Sequence, residues 1–477
     1  MRFKLKRKTF YFLLPVDDFI SLQIKIKENN KTHPKGKFNL KFDYACYFLH
    51  QFYYHMATGK KDEYGYVRLC STILVDIHKE YNVYRDFLEA KDFINYKPTW
   101  STAKSECIPY KVPFFYKKRS FAKYIPEDYI FRKNIKKMEE GNSKNASKTC
   151  SHLIKWLDAD YINIEYDSSL EFIRNLKKKD SSKFMRRHLT EIIHRGLWSF
   201  RRKGRDNRLH SELTRLPKDL RPFLRFKNDK LLASVDIKSS QPYILSGILN
   251  LVFLKKDTKK VMECINMVKE VKVRNRIRSI ISLMLEKNLE GHDIVEIQEF
   301  INLITDGDIY VHIGNQFSES FLRDVQTPIG IIDKFYEKEL GYKVTKHFTN
   351  LRDYCKKVML EYLYCSPKLN EKRYKEVRRI LPNIINELVD ALKQGEKEDF
   401  SLFLQNVEAH LILDDVTKKI AEVNPHIPQF TIHDSIATTE EHVDFVQQSL
   451  ETGLESFFEV KPKLVIEYWS GHLANAA

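Results

Sequence analysis

The stretch Leu231–Leu245, LLASVDIKSSQPYIL, does most to limit what this chain can become. A short apolar run (Leu231, Leu232, Ala233, Val235) ends in one acid, Asp236. The chain then turns polar and resumes as Pro242, Tyr243, Ile244 and Leu245. An apolar run of that length bounded by polar residues reads as a buried strand, and its continuation as a helix. A buried strand that ends in a single carboxylate is suited to a hard divalent cation, which takes oxygen ligands. A second acid has a similar setting almost two hundred residues later. In FTIHDSIATT the pattern reads strand, acid, strand, a hairpin with His433 and Asp434 at its tip. The expectation is that Asp236 and Asp434 form two halves of one metal site.

Charge narrows the class of partner. The formal charge is +17 over 477 residues with 13% aromatics, which describes a folded basic protein suited to a polyanion. Between Lys177 and Arg208 there are twelve Lys and Arg against three acids, a net of +9, more than half of the whole excess. Within it Met185, Leu189, Ile192, Ile193 and Leu197 recur at helical spacing, with Arg186, Arg187, Arg195 and Arg201 between them. The pattern predicts a helix with one packed face and one cationic face, unpaired by acids and available to phosphates. Gly204 and Arg205 follow, about thirty residues before Asp236. Arg221, Arg225 and Lys227 approach its strand from upstream, and an arginine fork grips phosphate or a base edge with two parallel bonds.

A third stretch, LRDYCKKVMLEYLYC, places Arg352, Lys356, Leu360 and Tyr364 four residues apart. On a helix these positions drift by about 40° per step and share one slanted face. Two cations, an apolar platform and an aromatic ring in file suit a nucleoside triphosphate, with Pro367 stopping the helix. Asp306 or Asp308 is expected to cap a helix beginning near residue 309. Residues 250–302 read as Lys-bearing helices, 401–422 as one amphipathic helix, and KLVIEYW near the C-terminus as a strand.

Residues 1–165 contain no phosphate loop, no HExxH and no acidic triplet of a nuclease; their start, MRFKLKRKTFYFLLPVDD, reads as a strand. The small polar segment Met138–Cys150 reads as a linker or exposed loop. Seven scattered cysteines without CxxC imply neither a zinc site nor a disulfide frame, which fits a reducing cytoplasm. No window reaches the roughly 20 apolar residues of a membrane span.

In order along the chain, these stretches resemble the A-family nucleic-acid polymerases, the DNA polymerase I-like enzymes and the single-subunit phage-type RNA polymerases. VDIKSSQPYIL resembles their first palm motif, LRDYCKKVMLEYLYC the fingers helix, and FTIHDSI the second palm motif. KGRDNRLHSELTRLP resembles the Gly-Arg segment that touches primer or template, and GDIYVHIGNQF the Asp-Ile-Tyr or Asp-Ile-His segment. The match covers residues 200–440. It departs from the family at Cys365, where Gly is usual, and at Gln241, where the DNA enzymes carry Glu. His433-Asp434-Ser435 is the form similar to the RNA polymerases.

The resemblance implies an α+β right-hand fold with an antiparallel-sheet palm, helical fingers and a helical thumb. Its divisions would be an N-terminal region of unassigned role (1–165), a basic thumb-like, primer/template-contacting segment (166–230), palm (231–310), fingers (311–400) and the rest of the palm (401–477). It implies a template-directed nucleotidyltransferase using two Mg2+ ions, or Mn2+, held by Asp236, Asp434 and the Ile237 carbonyl. Lys356 would act in catalysis. Arg352, Lys356, Leu360, Tyr364 and Gln241 would take the nucleoside triphosphate. Arg201, Arg202, Arg205, Arg208, Arg221 and His433 would take a DNA, or RNA, primer-template. Gln241 nearly matches Glu in size, which favours dNTPs, whereas Ser435 favours rNTPs. The alternatives are an RNA polymerase, a primase-like or terminal-transfer enzyme of a phage, plasmid or defence system, a metal-dependent nuclease, and a non-catalytic nucleic-acid-binding protein.

Overall fold

The computed structural model describes residues 12–58, 62, 64–97, 107–113, 120–178, 180–337, 342–365, 371–396 and 398–470. The chain mixes helices with small antiparallel sheets. The largest sheet has four strands, in the order Phe430–Ile432, Ser435–Thr439, Leu232–Ile237 and Leu464–Tyr468. All its neighbours are antiparallel. The Asp236 strand lies at the interior of this sheet and is covered on both edges.

Side-chain alternation along that strand separates core from site. Ala233, Val235 and Ile237 are buried, as is Ile436 across from Val235. The helix Val443–Phe458 packs against this sheet, and the helix Ser240–Leu249 follows the strand directly. The two helices meet closely. A Cβ on Gly247 would lie 2.3 Å from the Phe458 ring, so only glycine lets the ring approach. Tyr243 donates to the Val460 carbonyl (2.8 Å) and Asn250 to the Phe458 carbonyl (2.8 Å), which satisfies buried polar groups at this crossing.

Two apolar cores are present. One runs from Phe12 to Ile135 and takes in Phe184 and Ile192. The other runs from Ala146 to Trp469. The helix Asp180–His194 serves both, giving Phe184 and Ile192 to the first, and Leu189 and Ile193 to the second. Its expected helical periodicity is thus real, but apolar residues face two cores rather than one.

Several expectations need correction. Met138–Cys150 is no linker: Tyr129–Thr149 is one helix, capped by the Asp128 side chain on the Phe131 amide (2.8 Å). Phe131, Ile135 and Ala146 bury one narrow stripe, and a helix that is otherwise solvated needs few large apolar residues. Residues 401–422 are not uniformly α-helical. Asp399–His410 passes into a π-helical segment, Leu411–Val416, before Thr417–Val423. Residues 311–400 are not purely helical, because a ribbon of Gly330–Glu337 and Tyr342–Phe348 lies within them. Of the N-terminal stretch, Phe12–Pro15 is a strand and Val16–Thr32 a helix. The positions before Phe12, and Pro367, lie outside the described residues. Among the described residues no helix is long and apolar enough to cross a membrane.

Gly247→Ala should destabilise the protein by about 1–3 kcal/mol, the cost of overpacking a filled core. Urea denaturation of the two proteins checks this, and a cost near zero would show that the helix crossing relaxes freely.

Candidate active site

The two acids meet through strand register. Asp236 lies directly across from Ser435, so Asp434 is one residue from the cross-strand partner of Asp236. Neighbouring strands lie about 4.8 Å apart, which makes the two acids close neighbours. The local backbone is unusual at both. His433 has φ +55°, in the two-residue connection between Ile432 and Ser435, and Ser239 has φ +57°, three residues after Asp236. Non-glycine residues in this region carry strain of order 1 kcal/mol, and such strain gathers where a side chain has to be aimed.

The electrostatics fit a site short of positive charge at Asp434. Burial, then the negative charges of Glu408 and Asp236, push the Asp434 carboxyl up to about 7. Asp236 is raised as well, by burial first; Lys356 opposes that shift, Glu467 adds to it, and Lys218 and Arg221 oppose it. Half-buried neighbouring carboxylates that repel each other are a donor set that a hard dication would satisfy. Among the described residues no group of three or more His, Cys, Asp and Glu side chains is assembled for a metal.

The helix Leu351–Tyr364 is capped by the Asn350 side chain on the Asp353 amide (2.9 Å). It buries Tyr354, Cys355, Val358, Met359, Tyr362 and Leu363. Arg352, Lys356, Leu360 and Tyr364 therefore fall on its less buried face, and the Lys356 charge acts on Asp236. Arg352 is already paired, its Nε lying 2.9 Å from Asp308 Oδ2 and its guanidinium 5.5 Å from the centre of the Tyr310 ring. Asp308 caps the helix Ile309–Gln316 through the Tyr310 amide (3.1 Å). Burial raises the Tyr364 hydroxyl above its ordinary pKa; the charge of Glu408 adds to this and that of Arg208 opposes it.

Glu408 joins these parts. Its carboxylate is 1% exposed and lies at a crossing of chain segments. Oε1 accepts from the Arg208 guanidinium, while Oε2 accepts from Ser240 Oγ (2.6 Å) and Gln241 Nε2 (2.5 Å). Gln241 is thereby held at one end, and its Oε1 is buried without a partner. The sequence reading passed over Glu408, although it is the single acid between Ser401 and Leu413. Glu467 was also passed over. It shares a sheet face with Asp236, opposite Ser234, and pairs with Lys218 (2.9 Å) and Arg221 (3.9 Å).

The arginines divide. Arg202 does not face a nucleic acid: its side chain is 2% exposed and makes two bonds to Asp414, 2.8 and 2.5 Å, in the π-helical segment. A buried guanidinium needs such a partner, and that need places it inside. The expectation of an unpaired cationic face is overturned more widely. Arg186 and Lys178 meet Asp219, and Arg195 meets Glu191. Arg205 is half-exposed between Glu270 (2.8 Å) and Glu398 (3.0 Å). Arg201 is exposed on the strand Phe200–Arg201, and Arg221 lies with its guanidinium 5.7 Å from the Trp469 ring centre. His433 is exposed at the hairpin tip, its ring 6.4 Å from that of His210. Ile237 is the last residue of the Asp236 strand.

No protein-family model matches the sequence, and no curated protein matches it. Among solved structures, the polymerase domain of Pol1 from M. smegmatis, in complex with DNA primer-template and dNTP, aligns at 12% identity with a TM-score of 0.24. The alignment covers 64% of this chain and 56% of that one, and so weak an overlap carries no weight for fold or function.

A carboxyl raised to about 7 in the fold, against about 3.9 unfolded, makes the folded state bind more protons between those values. Stability then falls as pH rises from about 4 to 7. Asp434→Asn should therefore raise the melting temperature by roughly 2 °C at pH 8 in chelator, with the gain shrinking towards pH 4. Differential scanning fluorimetry across pH checks it, and a gain independent of pH would contradict it.

Proposed function

We propose that this chain is a template-directed nucleotidyltransferase, a DNA polymerase that extends a primer with dNTPs. The observation that carries the reading is the convergence of Asp236, Asp434 and the Lys356 helix from three distant parts of the sequence. In this reading the four-stranded sheet is the palm, the Leu351–Tyr364 helix with its neighbours is the fingers, and the basic helices before residue 230 are thumb-like.

Asp236 and Asp434, with the Ile237 carbonyl, would hold Mg2+, or Mn2+ in its place. Bound there, the cations supply an activated primer 3′-hydroxyl and charge neutralisation at the leaving pyrophosphate. Lys356 and Arg352 meet the negative charge that develops on the phosphates, where fixed cations lower the barrier without reorganising. Lys356 also has a proton to give to the departing oxygen. Leu360 and Tyr364 pack against the base and sugar of the nascent pair, and His433 orients the primer end. Arg205, Arg201 and Arg221 take backbone phosphates of the primer-template, while Arg208 stays bound to Glu408. Gln241, fixed by Glu408, crowds the sugar where a 2′-hydroxyl would sit, which favours deoxynucleotides.

On a primed DNA template with Mg2+, Asp236→Asn and Asp434→Asn should each cut primer extension by about 10^3-fold, and Lys356→Ala by about 10^2-fold. Circular dichroism controls for folding. Wild-type activity with rNTPs but not dNTPs would overturn the sugar assignment. Extension unaffected by either Asp variant would overturn the site.

A further inference from the structure

The cations of the Lys356 helix are not all available to a ligand, and the reason lies at Asp308. One carboxylate oxygen, Asp308 Oδ2, receives two cations from separate elements. Arg352 Nε comes from the first turn of the Leu351–Tyr364 helix at 2.9 Å, and Lys238 Nζ from the turn directly after the Asp236 strand at 3.1 Å. The other oxygen, Oδ1, is taken by the amides of Tyr310 (3.1 Å) and Val311 (3.4 Å), the start of the Ile309–Gln316 helix. Nearby, Lys463 Nζ is bound to the carbonyls of Asp306 (2.9 Å) and Gly307 (3.2 Å). The Lys463 carbonyl in turn accepts from the Lys238 amide (2.9 Å). The junction is thus rich in cations, pinned on its sheet side and open on its outer side. Arg352 has 39% of its side chain exposed and Lys238 24%.

A carboxylate oxygen and a phosphate oxygen make the same demand of a guanidinium and an ammonium group. A ligand whose phosphates reach Arg352 and Lys238 meets a competitor already in place. We propose that Asp308 is a positioning residue that acts as the resident counter-anion of this pair. It holds Arg352 and Lys238 together when no polyphosphate is bound, and it lowers the affinity for the triphosphate and for the pyrophosphate product. This rests on the triphosphate reading of the site and adds Lys238 to the groups that take the phosphates. It also gives the acid a use beyond capping. When pyrophosphate departs, Asp308 takes back the two cations, so release does not leave them unpaired. Lys356, on the same helix, has no ion pair among the described residues, and its charge acts on Asp236.

Asp308→Asn separates the two roles, because asparagine caps a helix about as well as aspartate but carries no charge. Binding is measured by calorimetry with two probes, inorganic tripolyphosphate and a dNTP, alongside the melting temperature, KM and kcat. The variant is expected to bind tripolyphosphate and dNTP about fivefold tighter, the size of a half-exposed ion pair. Its KM should fall, its kcat should not rise, and pyrophosphate should inhibit it at lower concentration. Lys238→Gln, the second variant, is expected to weaken tripolyphosphate binding by a similar factor. Unchanged or weaker binding by a folded Asp308→Asn overturns the proposal. If Asp308→Asn does not fold, unchanged binding by Lys238→Gln overturns it. Wild-type protein that binds tripolyphosphate but no dNTP overturns the polymerase reading and leaves the counter-anion assignment standing.

Discussion

Everything at the site depends on one pairing, the antiparallel register that sets Asp236 across from Ser435. A shift of one residue would turn Asp236 to the other face of the sheet, into the layer of Ala233, Val235 and Ile237. The register also brings Asp434 beside Asp236, which is unfavourable by itself. Burial, then the charges of Glu408 and Asp236, raise the proton affinity of Asp434. The surroundings offset the cost unevenly. Lys356, Lys218 and Arg221 act on Asp236, whereas Asp434 feels Glu408 as well as Asp236, opposed by a backbone hydrogen bond and Arg208.

Glu408 explains why that imbalance persists. It is buried, so it needs partners, and it finds them in Arg208, Ser240 and Gln241. The same carboxylate therefore fixes the first turn of the helix after Asp236, locks one arginine of the basic segment and keeps Asp434 avid for a proton. A fixed Gln241 cannot turn away from whatever occupies the space before it. This makes Gln241 a rigid side chain rather than a mobile polar one.

The sequence reading was clearest where a pattern is local. The strand at Leu232–Ile237, the hairpin with His433 and Asp434 at its tip, the helix Leu351–Tyr364 and the Asp308 cap each depend on a few consecutive residues, and each is present. The reading failed where composition stood in for structure. Met138–Cys150 is small and polar because its helix is mostly solvated, not because it is a loop. The ribbon at 330–348 breaks a region expected to be helical. The basic run from Lys177 to Arg208 carries its excess charge in sequence, yet acids from elsewhere meet several of its members.

The sequence by itself determined which groups are on hand: two acids at strand ends, and an Arg, a Lys, a Leu and a Tyr on one helical face. These follow from the periods of strand and helix, which act over a few residues. The tertiary structure alone decided which charges meet. Arg202 is separated from Asp414 by 212 residues, Arg208 from Glu408 by 200, and Arg352 from Asp308 by 44. No local period encodes such a pairing. Burial forces each charge to find a partner, and only the packed fold says which partner lies within reach. That is why the pairings of Glu408, Glu467 and Asp308 could not be read from the chain, while the strand ends that carry Asp236 and Asp434 could.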